Sequence, residues 1–134
     1  MKNFTIYGNP VLHSKSPQMQ NAGFRHIHEE ALYDKTLIEN GKDLRENFLN
    51  NNIKGANITV PHKEAAFKEA DIVEGLAKKI GAVNTYINND GKITAYNTDA
   101  PGFMKAIEEF GKIKHALILG AGGTAKAIAV AFNE

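Results

Sequence analysis

Two periods of apolar residues alternate along the chain. Phe4-Thr5-Ile6-Tyr7 has the spacing of a strand and is stopped by Gly8-Asn9-Pro10. Ser16 before Pro17 marks a helix start, the serine as cap and the proline at the first helical position. Met19, Phe24 and Ile27, with Ala22 and Ala31 near the same stripe, give that helix an apolar face. Leu32 to Ile38 alternates again as a second strand, and Leu44, Phe48 and Leu49 mark a second helix closed by Asn50-Asn51-Asn52. Asn57 to Val60 reads as a third strand ended by Pro61, followed by helical patterning from Glu64 to Ala70. Asp71-Ile72-Val73-Glu74 has the capping-box spacing of a further helix.

The second half opens on a hairpin signal. Val83 to Ile87 and Lys92 to Tyr96 flank Asn88-Asn89-Asp90-Gly91. With those four residues as the loop, Ile87 faces Lys92 and Asn84 faces Ala95. A helix follows around Ala100 to Phe110, then a strand from Ala116 to Leu119, the run Gly120-Ala121-Gly122-Gly123, and an alanine-rich helix. Repeated βα units with one hairpin predict an α/β fold built on a mixed, mainly parallel sheet.

Composition changes this picture little. The chain has 134 residues, 43% of them hydrophobic and 23% charged, which is ordinary for a soluble globular protein. Its net charge is +1 and its 16 Lys and Arg are scattered, so there is no footprint for nucleic acid or an acidic membrane surface. No apolar run approaches the length of a membrane span, and Met1 to Thr5 has no signal-peptide character, so a cytoplasmic location is the default expectation. Without cysteine there is neither disulfide nor thiol chemistry. The five histidines make no metal motif: His26 and His28, two apart on a helix, point to different faces.

The candidate chemistry lies at strand ends. The hairpin sets Gly81 to Asn84 beside Tyr96 to Asp99, so an amide and a carboxylate meet at one edge of the sheet. Lys63 falls just past the end of a strand, where ligands of open α/β sheets collect, as does Ser14 if the first strand feeds its loop. Ser, Thr, Asn, Lys and Asp together suit a small, polyhydroxylated, anionic molecule. Each has a plainer use when taken singly: a solvated lysine, a capping serine, an asparagine or aspartate forming a turn. The glycine run is more specific, because a strand precedes it and a helix follows. That context lets backbone approach a pyrophosphate resting on the helix N-terminus. Its spacing is G-x-G-G-x-A, with Ala125 at the small third position.

Five ordered segments resemble the shikimate dehydrogenases: Gly8-Asn9-Pro10-Val11 with His13-Ser14-Lys15-Ser16-Pro17; Gly55 to Lys63; Gly81-Ala82-Val83-Asn84-Thr85; Asn97-Thr98-Asp99 with Gly102-Phe103; and Leu119-Gly120-Ala121-Gly122-Gly123. The resemblance implies a three-layer α-β-α substrate-binding domain over residues 1–111 and, over 112–134, the first strand and helix of a Rossmann-like domain. It implies reversible reduction of 3-dehydroshikimate to shikimate with NADP as cofactor, a step of aromatic amino-acid biosynthesis. By the matching positions Lys63 and Asp99 form the catalytic pair, Lys63 chiefly as proton donor and electrostatic clamp. Ser14 and Ser16 match contacts to the substrate carboxylate. Asn57, Thr59 and Asn84 match positions at the ring hydroxyls, and Gly120, Ala121, Gly122, Gly123 and Thr124 match the pyrophosphate loop.

Members of that family run to roughly twice this length, so the expectation is a truncated form, inactive by itself. The residue that reads the cofactor ribose normally lies about 20 residues past the glycine loop, at or beyond Glu134. A parallel strand needs neighbours on both sides. The segment from about residue 112 is therefore expected to be poorly supported, or to borrow contacts from a second copy of the chain. Two other readings go with the same residues: a shikimate-binding module without redox activity, and an enzyme that also takes quinate.

Overall fold

In the computed structural model, which describes all 134 residues, six strands form one sheet with helices on both faces. The strands are β1 (Lys2–Gly8), β2 (Ala31–Leu37), β3 (Ile53–Ile58), β4 (Ile72–Val73), β5 (Thr85–Asn89) and β6 (Lys92–Tyr96), in the order β2-β1-β3-β5-β6-β4. The helices are α1 (Ser16–His26), α2 (Leu44–Asn50), α3 (Lys63–Glu69), α4 (Ala77–Ile80), α5 (Asp99–Ala106) and α6 (Gly123–Ala131). β1 runs parallel to β2 and β3, and β4 parallel to β6, whereas β5 is antiparallel to both its neighbours. The expected α/β fold with a mixed, mainly parallel sheet is what the chain adopts. No helix is long and apolar enough to cross a membrane.

Alternation along β1 builds two cores, because successive side chains point to opposite faces. Tyr7 goes to the larger core with Leu44 and Phe48 of α2, Ala66 of α3 and Tyr86 of β5. Phe48 meets the Tyr86 ring edge-on, with centroids 5.4 Å apart. Ile6 goes to the other face with Val11 and Tyr33, where Phe4 and Phe24 of α1 stack at 5.2 Å. The outer edge of β2 is closed by a side chain: Asn21 of α1 accepts from Tyr33 N at 2.8 Å and donates to Tyr33 O at 2.7 Å. An unpaired edge would otherwise offer those groups to another strand.

Four local expectations are corrected. The third strand is Ile53–Ile58 rather than Asn57–Val60. Gly55 sits where an added Cβ would stand 3.1 Å from the Phe4 ring, so close packing overrides its weak strand propensity. The hairpin loop is Asp90-Gly91, not four residues: Asn89 pairs with Lys92 and Ile87 with Thr94. Asp90 and Gly91 both take positive φ, as a tight turn matched to strand twist requires. Asp71 to Glu74 does not start a helix; Ile72–Val73 becomes β4 instead. The Asp71 carboxylate, free in principle to cap, accepts from Ile93 N at 2.8 Å and from Arg45 at 2.9 Å, which draws the segment against β6. Ala116 to Leu119 does not form a strand either, since no neighbour lies beside it, and Leu117 and Leu119 stay 86% and 88% exposed.

The expected weakness from residue 112 onward therefore holds for one part of the segment and not the other. α6 is supported by a third, alanine-rich cluster in which Ala127 and Ala131 pack on Ile80, Ala82 and Ala100. Phe132 meets Phe103 of α5 edge-on at 5.9 Å. Small residues let helices approach closely, so a short alanine-rich helix docks without a bulky core.

Two outcomes follow from this packing. Phe48→Ala removes a fully buried ring and costs about 3–5 kcal/mol, and Phe24→Ala, at a half-buried position, costs less; chemical denaturation measures both. The hydrogen bond and ion pair from Arg45 and the bond from Ile93 N hold the Asp71 carboxyl below the usual carboxylate range. A carboxyl depressed in the folded state contributes stability above its unfolded pKa, and this is lost as pH falls through the folded pKa. Asp71→Asn should therefore lower stability near neutral pH by less than about 1 kcal/mol, the scale of an exposed pair, and flatten the loss on acidification.

Candidate active site

The polar residues at the carboxyl ends of β3 and β1 converge because β5 begins and β6 ends there. Asn84, just before β5 and 9% exposed, has a side chain with every bond satisfied. Its Nδ2 donates to Thr98 Oγ1 at 2.8 Å and Asp99 Oδ1 at 3.0 Å, and its Oδ1 accepts from Thr98 N and Thr85 Oγ1, both at 2.9 Å. Asn97 holds the next turn: its Oδ1 accepts from Asp99 N at 3.0 Å, and its Nδ2 donates to Ala82 O at 3.0 Å. Asp99 thus enters α5 with its backbone and one carboxylate oxygen fixed.

The second oxygen of Asp99 takes an ion pair. Lys63, the first residue of α3, donates from Nζ to Asp99 Oδ2 at 2.6 Å and to Thr124 Oγ1 at 3.1 Å. Pro61 has no N–H to extend β3, and Thr59 N and Val60 O make the last bonds to the β1 side, so the chain turns there into α3. That turn carries Lys63 across the ends of the strands. Thr59, Pro61, Lys63 and Glu64 form one wall of a cleft of about 600 Å³; Leu119, Gly120, Gly122, Gly123, Thr124 and Ala125 form the other. Its size suits a small molecule.

Of the residues singled out from sequence, Asn57, Asn84, Lys63, Asp99 and Thr124 join one bonded network, and Thr59 and the glycines line the cleft beside it. Ala121 is exposed beside the glycines and is not part of the cleft wall. Ser14, in the loop after β1, and Ser16, the first residue of α1, bond to each other rather than to the network. Ser14 Oγ accepts from Ser16 N at 3.2 Å, so the serine at the start of α1 that bonds a backbone N–H is Ser14 and not Ser16, which donates that N–H.

Thr85, Asn97 and Thr98 stand in the segments quoted from sequence but without a role, and Tyr33 is not singled out there. The Tyr33 hydroxyl crosses from the edge strand to donate to Asn57 Oδ1 at 2.6 Å, and burial pushes its pKa up, keeping it a donor. An inward-facing tyrosine on an alternating strand is the one sequence signal for it. On the cleft rim, Lys126 of α6 pairs with Glu64 at 2.6 Å and, by hydrogen bond and charge, holds the Glu64 carboxyl below its ordinary range.

α6 starts with no side-chain cap, so the free N–H groups and positive dipole end of a nine-residue helix face the cleft behind the glycine loop. Such an end, approached by flexible glycines, fits the diphosphate of a nucleotide. Gly120 has φ +129°, a conformation a side chain would strain.

Comparison with known proteins agrees with this geometry. A family model described as the shikimate dehydrogenase substrate binding domain matches residues 6–86. The shikimate dehydrogenase (NADP(+)) of Helicobacter hepaticus is 50% identical over 128 residues, covering 95% of this chain and 47% of that protein. A shikimate dehydrogenase from Peptoclostridium difficile superposes with a TM-score of 0.92 at 34% identity, over 99% of this chain and 51% of the other. The Thermus thermophilus enzyme, solved in complex with NADP(H) and shikimate, superposes with a TM-score of 0.84 at 36% identity, over 99% of this chain and 52% of the other. The chain spans about half the length of the curated relatives it matches.

Asn84 is the most exacting position of the site. Asn84→Ala leaves Asp99 Oδ1, Thr98 N and Thr85 Oγ1 without their partner and is expected to cost about 1–3 kcal/mol in denaturant melts. Asn84→Asp keeps an acceptor but turns a second carboxylate toward Asp99, and is expected to be at least as destabilising at neutral pH.

Proposed function

The chain belongs to the family of shikimate dehydrogenase substrate-binding domains, and on that premise we propose that its cleft takes shikimate and 3-dehydroshikimate. The protein then serves their NADPH-dependent interconversion in aromatic amino-acid biosynthesis. The observation that carries this reading is the Lys63–Asp99 pair at 2.6 Å, held by Asn84 on the far carboxylate oxygen and facing the glycine loop across the cleft. Residues 1–111 serve as the substrate-binding domain and 112–134 as the start of the dinucleotide-binding unit. With this role goes a cytoplasmic location. The exposed Leu117 and Leu119 offer the chain a surface for self-association.

When bound, the nicotinamide nucleotide supplies the hydride that adds to the carbonyl carbon. Charge then develops on the carbonyl oxygen, and an ammonium aimed there lowers the barrier by electrostatic attraction and by handing over a proton. Lys63 is that group. Asp99 keeps the ammonium in place and presents its carboxylate to a neighbouring hydroxyl, so the pair that gives a proton to the new alcohol is also the pair that takes it back in the reverse direction. Asn57 and Thr59 supply donors and acceptors for ring hydroxyls, and Ser14 and Ser16, at the dipole end of α1, meet the substrate carboxylate. The free N–H groups of α6 and Gly120, Ala121, Gly122, Gly123 and Thr124 receive the nucleotide diphosphate.

Isothermal calorimetry of this chain with shikimate, and separately with NADP⁺, tests the reading. Shikimate is expected to bind, and Lys63→Ala or Asp99→Ala to weaken binding about tenfold or more, the scale of a lost bond to a charged group. Absence of shikimate binding by the unsubstituted chain overturns the proposal. Binding of shikimate that is unaffected by either substitution removes the assigned roles while leaving the ligand.

A further inference from the structure

A lysine ammonium has three N–H bonds to place. Lys63 gives one to Asp99 Oδ2 at 2.6 Å and one to Thr124 Oγ1 at 3.1 Å. The two acceptors come from different helices, Asp99 at the start of α5 and Thr124 in the first turn of α6. With two of three tetrahedral directions taken, the third is determined by geometry rather than by rotation about the Cε–Nζ bond. The stem below is held as well. A Cβ at Gly123 would stand 3.2 Å from both Cβ and Cδ of Lys63, so the glycine packs directly on the lysine's methylenes.

Threonine in the first turn of a helix commonly spends its hydroxyl on that helix's own backbone. Here it does not: α6 has no side-chain cap bond, and the Thr124 hydroxyl accepts from Lys63 across a separation of 61 residues. The Lys126–Glu64 pair, between the next turn of α6 and the second residue of α3, holds the same two helix starts together at 2.6 Å. Being exposed, it adds little stability; it is the packing of α6 on α4 and α5 that keeps Thr124 within reach.

We propose that Thr124 is a positioning residue: its hydroxyl, offered from the nucleotide-binding loop, fixes the Lys63 ammonium so that the remaining N–H points at the substrate oxygen. This rests on the reading of Lys63 as proton donor. It assigns the loop a second task beyond holding a nucleotide, because whatever moves the start of α6 also re-aims the donor.

Thr124→Val deletes the hydroxyl and keeps the shape, and Thr124→Ser keeps the hydroxyl. Two readouts separate positioning from folding: the ¹H–¹⁵N signal of the Lys63 ammonium, and shikimate affinity by calorimetry, with the thermal midpoint as fold control. The expected result is a Lys63 signal broadened by solvent exchange and shikimate affinity about two- to tenfold weaker in Thr124→Val, the scale of one hydrogen bond. Thr124→Ser restores both. A Thr124→Val chain with an unchanged ammonium signal and affinity overturns the proposal, and so does a Thr124→Ser chain as impaired as the valine variant. If the unsubstituted chain fails to bind shikimate, the assigned ligand falls. The ammonium signal alone then decides whether Thr124 holds Lys63: loss in valine and recovery in serine support the contact, and no change overturns it.

Discussion

A buried amide must place two donors and two lone pairs, and at Asn84 the protein meets that demand with groups from two separate pieces of chain. Thr85 belongs to the strand that begins there, and Thr98 and Asp99 to the turn that opens α5. The backbone of Asn84 is engaged as well, donating to Tyr96 O at 3.0 Å and accepting from Ile58 N at 2.8 Å. The ends of β3, β5 and β6 are therefore fastened at a single residue. Leaving any of these groups unpaired in the interior would cost more than a typical bond contributes, so the arrangement is determined within narrow limits. Asp99 inherits its position from it, and Lys63 from Asp99.

The distribution of apolar residues explains why a cleft exists at that edge at all. The large core between β1, β3, β5 and α2–α3 is filled mainly by aromatic and branched side chains, with alanines between them, and it holds the sheet and its first helices as one body. The cluster under α6 is built from alanines. Alanine burial contributes little per residue, and the segment before α6 leaves its leucines in solvent. The second wall of the cleft is thus a lightly docked helix that meets the first wall through two polar contacts, Lys63–Thr124 and Glu64–Lys126, and through Gly123 against the Lys63 stem.

Much of this was legible along the chain. The alternation of Phe4 to Tyr7 and of Leu32 to Ile38, the helix at Pro17 and the glycine loop before a helix each express a local rule, so they are seen without the fold. The pairing of Asn84 with Asp99 was legible as well, although through a hairpin register wrong by two residues on one strand. Either register brings the two stretches to the same end of the ribbon.

What local rules could not decide was how competing uses of one side chain are resolved. Asp71 reads as a helix cap, yet Arg45 and the Ile93 amide, distant in sequence, claim its carboxylate and the helix becomes a strand. Ala116 to Leu119 reads as a strand and is not one, because a strand is a relation to a neighbour rather than a property of a segment. Thr124 reads as part of a phosphate loop, and only the docking of α6 on α4 and α5 brings its hydroxyl to Lys63. The sequence by itself determined which residues carry charge, hydroxyls and turns and roughly where each element lies. Tertiary structure decided which of the distant groups bond, because Lys63 reaches Asp99 and Thr124 across 36 and 61 residues, separations that only the folded sheet and docked helices close.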